Sequence, residues 1–242
     1  MKVIGVIPAR MAATRLPGKP LLTIAGKPMI QWVWERARQA QTLSALYIAT
    51  PDAEIIRAAE SFGACAMLTS HAHRSGTDRV AEVARRTEGD IYVNIQGDEP
   101  LLDPRGIDYA VQPLLDDPQV MMSSLYCHAQ PHEYDAPSVV KVVLDREGNA
   151  LYFSRSRIPY PREATNLPVY KHIGLYVYRR ELLLRFSEWE PTPLERTEAL
   201  EQLRVLEHGY RIRMVPFEHA SIAVDTEVDL ARVRQILEQR GK

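Results

Sequence analysis

The first residues able to do chemistry lie in a cationic, proline-rich loop near the start of the chain. An apolar run at residues 3–7 predicts a buried strand, and the loop after it carries Arg10, Arg15 and Lys19. A strand that ends in such a loop and continues into a helix is how many α/β proteins hold a polyphosphate. Neither the G-x-G-x-x-G pattern nor the G-x-x-x-x-G-K-[ST] loop is present. Side-chain charge and backbone N–H groups must then bind the phosphate; an ordinary basic surface loop is the alternative.

A second polar segment follows the apolar run at residues 91–95. In an extended chain Gln96 and Asp98 project from the same side, while Glu99 points away. A carboxylate at the carboxyl end of a strand is well placed for Mg²⁺, which prefers one or two carboxylates together with substrate phosphates. The alternative is that Asp98 or Asp103 only caps the following helix.

Asp225 ends another apolar run, directly before a predicted helix over residues 227–239. The local pattern favours a capping role, because Asp and Thr at a helix start satisfy free backbone N–H groups. Asp225 becomes a metal ligand only if the fold brings it to Asp98.

Residues 75–79 combine a helix start with a possible ligand contact. Ser75 and Asp78 have the spacing of a capping box, and Gly76 would let a ligand approach the backbone. Capping and ligand binding are compatible at this position.

Polar residues of the second half give a weaker signal. His172 begins a predicted strand with Tyr176 on the same face, and Glu201 and Gln202 share one face of a helix predicted over residues 195–208. Residues in such patterns are more often structural or solvated than functional.

Composition limits the classes of function. The 242 residues carry a formal net charge of −1, which gives no overall attraction to nucleic acid or to an anionic membrane. No apolar run reaches the length of a membrane span or of a signal peptide. Cys65 and Cys127 have no metal-binding spacing, so we expect reduced thiols and a cytoplasmic protein.

The predicted elements that must position these residues alternate through the first half. Strands are predicted at residues 3–7, 45–49, 64–68 and 91–95, each followed by a helix, at 28–39, 52–62, 77–86 and 105–115. Four strand–helix units predict an α/β fold with a mostly parallel, doubly wound sheet, whose ligands gather at the carboxyl ends of the strands.

From residue 120 the pattern changes. Antiparallel strands are predicted at 139–144 and 150–153, then a strand at 172–178, helices at 181–186 and 195–208, and a strand at 212–215. We expect one domain over residues 1–242, with this part packed on the first as an embellishment.

In its sequence motifs the chain resembles the 3-deoxy-manno-octulosonate cytidylyltransferase (CMP-Kdo synthetase) family along nearly its whole length. The resemblance rests on many blocks in one order. They are Ile7-Pro-Ala-Arg10, Thr14-Arg-Leu-Pro-Gly-Lys-Pro-Leu21, Gly26-Lys-Pro-Met-Ile30, Ser75-Gly-Thr-Asp-Arg79, Asn94-Ile-Gln-Gly-Asp-Glu-Pro100, Val140-Lys-Val-Val-Leu-Asp145, Ala150-Leu-Tyr-Phe-Ser-Arg155, Lys171-His-Ile-Gly-Leu-Tyr176, Leu200-Glu-Gln-Leu-Arg204 and Val224-Asp-Thr226.

The resemblance implies a Rossmann-like nucleotide-diphosphosugar transferase fold and transfer of CMP from CTP to Kdo for lipopolysaccharide synthesis. It also implies a homodimer whose interface lies largely within residues 120–190. The implied catalytic residues are Arg10, Lys19, Asp98 and Asp225, and Asp98 and Asp225 would ligate Mg²⁺. The implied nucleotide-binding residues are Pro8, Ala9, Arg10, Arg15, Lys19, Ser75, Gly76, Thr77, Arg79 and Asp98. The implied sugar-binding residues are Gln96, Arg157, His172, Tyr176, Glu201 and Gln202.

Two other functions stay open at this point. The sugar could be a related acidic sugar, either the 8-amino analogue of Kdo or a sialic-acid-like sugar. The second possibility is a non-catalytic nucleotide-sugar sensor on the same scaffold, although such a protein is expected to lack a carboxylate or a cation that is present here.

Overall fold

The computed structural model describes residues 1–12, 16–163 and 167–240. The chain forms two compact units. The first unit consists of Met1–Asp108 together with Ser221–Lys242, and the second is Tyr109–Ala220.

The regular elements of the described residues are numbered in chain order. The strands are β1 (Val3–Pro8), β2 (Thr23–Ile24), β3 (Lys27–Pro28), β4 (Ala45–Thr50), β5 (Cys65–Leu68), β6 (Ile91–Asn94), β7 (Met122–His128), β8 (Lys141–Leu144), β9 (Ala150–Ser154), β10 (Tyr170–Arg179) and β11 (Arg213–Pro216). The helices are α1 (Met29–Ala37), α2 (Ala53–Ser61), α3 (Gly76–Arg86), α4 (Pro104–Asp116), α5 (Arg180–Phe186), α6 (Pro193–Glu198), α7 (Gln202–Glu207) and α8 (Glu227–Arg240).

The first unit is built on parallel strands in the order β6, β1, β4, β5. This confirms the parallel sheet that the four strand–helix units predict. Residues 3–7 are buried without a break, as expected for a strand that is covered on both faces. Because the strands run in the same direction, the residues that follow β1 and β6 leave the sheet at one common edge.

An apolar cluster holds the C-terminal part of the first unit. Its buried members come from the opening loop, the β2–α1 region, the segment before α8 and α8 itself. They are Leu16, Ile24, Met29, Val224, Leu230, Val233 and Leu237. The Val224 amide also donates to the backbone carbonyl of Asp98, at 2.9 Å. Packing and hydrogen bonding therefore bring the residue next to Val224, Asp225, to the end of β6.

The second unit contains the predicted antiparallel strands. β8 pairs with β9 and with β10, and β7 pairs antiparallel with β10 and parallel with β11. The sequence did not predict β7, because two serines interrupt its apolar pattern. In the structure Ser123 and Ser124 are fully buried, and their hydroxyl groups donate to the backbone carbonyls of Ala110 and Leu175.

The single helix predicted over residues 195–208 is wrong. The chain forms α6 and α7 instead, with Ala199 between them in the left-handed conformation (φ 52°). Arg155 donates from Nε to the Glu198 carbonyl (2.7 Å) and from Nη2 to the Ala199 carbonyl (3.2 Å). This long-range contact satisfies carbonyl groups that helix continuation would otherwise use, which no local pattern could reveal.

No helix among the described residues has both the length and the apolar composition needed to cross a bilayer.

Gly97 provides a test of how tightly the ends of β1 and β6 are packed. A Cβ at Gly97 would lie 2.7 Å from the Pro8 carbonyl oxygen, so we expect Gly97→Ala to lower the free energy of unfolding by about 1–3 kcal/mol. Gly174→Ala is the matched control, because no described atom lies within 4 Å of its added Cβ. Urea unfolding checks this, and equal stability of the two variants would contradict the close approach.

Candidate active site

The cationic loop is fixed to the neighbouring strand and helix. The Ala9 amide donates to the Ala49 carbonyl at 2.9 Å, which extends the β1–β4 pairing by one residue. The Met11 amide donates to the Asp52 carboxylate at 2.7 Å. Asp52 directly precedes α2, but its side chain makes no capping hydrogen bond. Its carboxylate holds the loop instead, and this loop carries Arg10.

A cavity of about 360 Å³ opens in the first unit beside this loop. Its lining residues are Pro8, Ala9, Arg10, Leu16, Lys19, Pro20, Arg74, Ser75, Gly76, Arg79, Gln96, Gly97, Asp98 and Asp225. The fold thus brings together most of the residues that the sequence assigned to nucleotide and metal, and Gln96 from the sugar set. Sequence reasoning missed Arg74, although a cation directly before Ser75 was a usable signal.

Lys19 joins the two distant carboxylates of the pocket. Its ammonium group donates to Asp98 Oδ2 at 2.7 Å and to Asp225 Oδ1 at 3.2 Å. The Lys19 side chain is only 15% exposed, so this pairing is partly shielded from water. One cation therefore offsets the repulsion that two neighbouring carboxylates would otherwise have.

The side chain of Asp225 does not cap the helix that follows it. Thr226 and Asp229 cap the start of α8. The Asp229 amide donates to Thr226 Oγ1 (3.3 Å), and the Thr226 amide donates to the Asp229 carboxylate (2.9 Å). The Asp225 carboxylate faces Lys19 instead. Likewise Asp103 accepts from the Arg105 amide at 3.0 Å, while Asp98 pairs with Lys19.

Arg79 adds positive charge to the pocket from a buried position. It is 3% exposed, and its guanidinium donates to Thr69 Oγ1 and to the Ser70 carbonyl. Burial and the nearby charge of Arg10 lower the pKa of Arg79. Two guanidinium groups that repel each other across a pocket gain from an anion bound between them.

The predicted capping box at the start of α3 is confirmed. The Ser75 hydroxyl accepts from the Asp78 amide, and the Asp78 carboxylate accepts from the Ser75 amide, both at 3.1 Å. A Cβ at Gly76 would lie 3.2 Å from Cγ of Pro8. Glycine at this position therefore lets the helix start approach the end of β1, where the pocket lies.

Two residues of the predicted nucleotide set are not among the pocket lining. Thr77 is fully buried, and its hydroxyl accepts a hydrogen bond from Asn94 Nδ2 at 3.0 Å. Arg15 lies outside the described residues.

Glu99 is not among the residues that line the pocket. The extended conformation assumed from the sequence does not persist here, because the chain turns at Gly97 and Asp98. Burial and the neighbouring charge of Asp98 raise the pKa of Glu99 to about 8. Glu99 therefore keeps its proton at neutral pH, whereas Asp98 faces the Lys19 ammonium group.

Some of the residues predicted to bind the sugar lie close together in the second unit. The rings of His172 and Tyr176 lie 5.4 Å apart, and the Tyr176 hydroxyl donates to Gln202 Oε1 at 3.2 Å. His172 Nε2 lies 2.8 Å from Ser124 Oγ. Gln202 is buried, and its Nε2 has no hydrogen-bond partner among the residues that the structure describes. A buried amide N–H without a protein partner can donate to an acceptor on a bound ligand or on a water molecule.

Two further residues predicted to bind the sugar, Arg157 and Glu201, also belong to the second unit. Arg157 packs its guanidinium over the Tyr134 ring, 5.0 Å from the centroid, a cation–π contact. Glu201 stands directly before α7, next to Gln202.

His172 makes the stability of the second unit depend on pH. Burial lowers the pKa of His172 to about 3 from its ordinary 6.5. Below pH 6.5 the unfolded chain binds a proton that the folded chain does not, so the free energy of unfolding falls as the pH falls from 6.5 towards 3. The contribution is at most about 1.4 kcal/mol per pH unit.

Urea unfolding of the wild type and His172→Asn at pH 7, 6, 5 and 4 tests this. We expect the wild type to lose more stability than the variant over this range. Parallel curves would contradict a neutral His172 in the folded chain.

Comparisons with known proteins agree with this geometry. A family model described as cytidylyltransferase matches residues 4–212. The chain is 50% identical to the 3-deoxy-manno-octulosonate cytidylyltransferase of Geotalea daltonii, with all of both chains covered. It is 53% identical to the protein of the same name from Solibacter usitatus, over 97% of this chain and 94% of that protein.

Solved structures show the same likeness. A CMP:2-keto-3-deoxy-manno-octonic acid synthetase complexed with CTP superimposes with a TM-score of 0.96 at 44% identity, covering 99% of this chain and 100% of that one. The fold is also shared with a 4-diphosphocytidyl-2C-methyl-D-erythritol synthase from Anaerococcus prevotii (TM-score 0.64, 11% identity, 98% and 99% covered). On this evidence the chain belongs to the 3-deoxy-manno-octulosonate cytidylyltransferase family.

Proposed function

We propose that this protein transfers CMP from CTP to 3-deoxy-D-manno-octulosonate (Kdo) and releases pyrophosphate. The observation that carries the proposal is the Lys19 ammonium group between Asp98 and Asp225, in a pocket that also holds three arginines. Relatives that match over their whole length and carry the cytidylyltransferase name support the choice of nucleotide and sugar.

The triphosphate of CTP is assigned to the cationic side of the pocket. Arg10 and Lys19 would bind its oxygens by charge-assisted hydrogen bonds. Ala9 and Gly76 keep the backbone accessible to a phosphate, since both are small and line the pocket. As the pyrophosphate leaves, the same cations would offset the charge that builds on it, a contribution of a few kcal/mol in comparable sites.

The donor set of the pocket fits Mg²⁺. Among the described residues, no group of three or more His, Cys, Asp or Glu side chains could hold a metal by itself. Mg²⁺ needs no such group, because one or two carboxylates with substrate phosphates and water suffice. Asp98 and Asp225 would hold the ion. When bound, it would supply positive charge at the α-phosphate and lower the pKa of the attacking hydroxyl group.

Lys19 determines when the carboxylates of Asp98 and Asp225 become available to Mg²⁺. Without a nucleotide, the two carboxylates share the single positive charge of the Lys19 ammonium group. A triphosphate offers that ammonium group an alternative anionic partner, so nucleotide binding would free carboxylate oxygens of Asp98 and Asp225.

The reaction itself is an in-line displacement at phosphorus. The anomeric hydroxyl oxygen of the sugar forms a bond to the α-phosphorus, the bond from that phosphorus to the bridging oxygen of pyrophosphate breaks, and the hydroxyl proton passes to solvent. The protein's part is to position the reactants and neutralise charge. We assign recognition of the sugar to His172, Tyr176 and Gln202, because their polar atoms converge and Gln202 keeps an unused donor.

We also propose a cytoplasmic homodimer. Leu151, Tyr160 and Leu167 are large apolar residues exposed by 61%, 83% and 59%, all within the segment assigned to the interface. Burial of such residues against a second copy is a common basis of a stable dimer. Sedimentation equilibrium should give twice the 27.5 kDa of one chain, and a mass of one chain at micromolar concentration would contradict the dimer.

Asp98→Asn tests the central residue of the site. We expect kcat for pyrophosphate release from CTP and Kdo to fall by about a thousandfold or more, because a charged metal ligand and the partner of Lys19 are lost together. The thermal unfolding midpoint should stay close to that of the wild type. Glu60→Gln, an exposed charge change on α2, is the matched control and should keep full activity. An active Asp98→Asn enzyme with unchanged Mg²⁺ dependence would refute the assignment.

A substrate panel distinguishes the remaining alternatives. Pyrophosphate release is measured with CTP and UTP against Kdo, its 8-amino analogue and a sialic acid, with and without Mg²⁺. We expect turnover with CTP and Kdo in the presence of Mg²⁺. Turnover with only another sugar would change the substrate, and tight CTP binding without turnover on any sugar would indicate a sensor.

A further inference from the structure

The segment between β5 and α3, residues 69–75, carries Arg74 and Ser75 into the nucleotide pocket. Only the last residues of this segment line the cavity. The rest of it has no regular secondary structure, so strand or helix hydrogen bonds do not fix its path. Backbone pairing holds only its first residue, Thr69, through the Thr50 carbonyl, and the capping box holds Ser75 at its end. Between these ends, side chains from elsewhere hold the segment.

One face of α3 supplies these side chains. Glu82 Oε2 accepts from the Ser70 amide at 2.8 Å and from Nε2 of His73 at 2.6 Å. Arg79 donates to the Ser70 carbonyl at 3.1 Å, and Arg86 donates to Glu82 Oε1 at 3.3 Å. Residues 79, 82 and 86 are three and four positions apart, so they lie on one side of the helix. That side of α3 holds the segment by hydrogen bonds.

Glu82 is the centre of this arrangement. Burial alone would raise the pKa of Glu82, but the Ser70 amide and His73 outweigh it, so the pKa lies below its ordinary value. The His73 and Glu82 side chains are 20% and 23% exposed. A charged acceptor with several donors and little exposure holds its partners more firmly than a surface pair does.

Neither His73 nor Glu82 lines the cavity, and α3 is anchored by other residues. Val80, Ala81, Val83 and Ala84 are fully buried and pack the helix into the first unit. Loss of the His73–Glu82 pair would therefore release the segment while leaving the apolar anchor of the helix in place.

We propose that His73 and Glu82 are positioning residues that hold residues 70–75 in the conformation that binds the nucleotide. This inference rests on the proposed function, because it takes the cavity to be the CTP site. Without the pair, the segment must be ordered when CTP binds, and that entropy cost weakens binding. Asp98 and Asp225 are held by Lys19, which is not part of the pair, so the chemical step keeps its rate once CTP is bound.

The test compares Glu82→Ala, His73→Ala and the double variant with Glu88→Ala. Glu88 is an exposed glutamate just beyond α3, so it is the matched control. Isothermal titration measures the Kd of CTP, steady-state assays give kcat and the KM values for CTP and Kdo, and thermal unfolding checks the fold.

We expect each single variant to raise the Kd and KM of CTP about tenfold, the size of a lost hydrogen bond to a charged group. The kcat and the KM for Kdo should stay within about twofold. The double variant should be no worse than Glu82→Ala, because that variant already removes the contact with His73. Glu82→Gln, which can still accept from the Ser70 amide, should recover part of the affinity.

Three results would overturn the inference. They are unchanged CTP affinity in a folded Glu82→Ala protein, an equal loss with Glu88→Ala, and additive losses in the double variant. Failure of the proposed function looks different, because the wild type itself would then not bind CTP.

Discussion

The ammonium group of Lys19, held between Asp98 and Asp225, is the interaction on which the first unit is organised. Two carboxylates placed together in a partly shielded pocket repel each other, and a shared cation makes their proximity tolerable. The two contacts join residues 79 and 206 positions apart in the sequence. These ion pairs therefore depend on three separate parts of the chain: the opening loop, the end of β6 and the segment before α8.

Each of these parts is set in place by a different kind of force. Parallel pairing brings the end of β1 beside the end of β6, and Gly97 permits the close approach at that edge. Apolar burial attaches α8, and one backbone hydrogen bond from Val224 sets the position of the acidic residue that follows. The Asp52 carboxylate then fixes the opening loop. The result is a preorganised set of charges, which is what phosphoryl-type transfer chiefly asks of a protein.

The sequence was most informative where local patterns and tertiary structure agree. Alternating apolar runs and helices predicted the parallel sheet, and spacing predicted the capping box of Ser75 and Asp78. The joint position of Asp98 and Asp225 followed from the family resemblance, since a local pattern favoured capping for Asp225. Local patterns failed to predict the secondary structure where contacts between residues distant in the sequence determine it. Buried serines conceal β7 in the sequence, and Arg155 ends α6.

The central claim is that Asp98 and Asp225 bind a divalent ion beside a triphosphate that Lys19 and Arg10 hold. The most direct test is a crystal structure with Mn²⁺ and a non-hydrolysable CTP analogue, located by anomalous scattering. The account predicts a strong anomalous peak within coordination distance of both carboxylates, with the Lys19 ammonium group on phosphate oxygens. An anomalous peak away from Asp98 and Asp225, or a triphosphate bound outside this pocket, would contradict it.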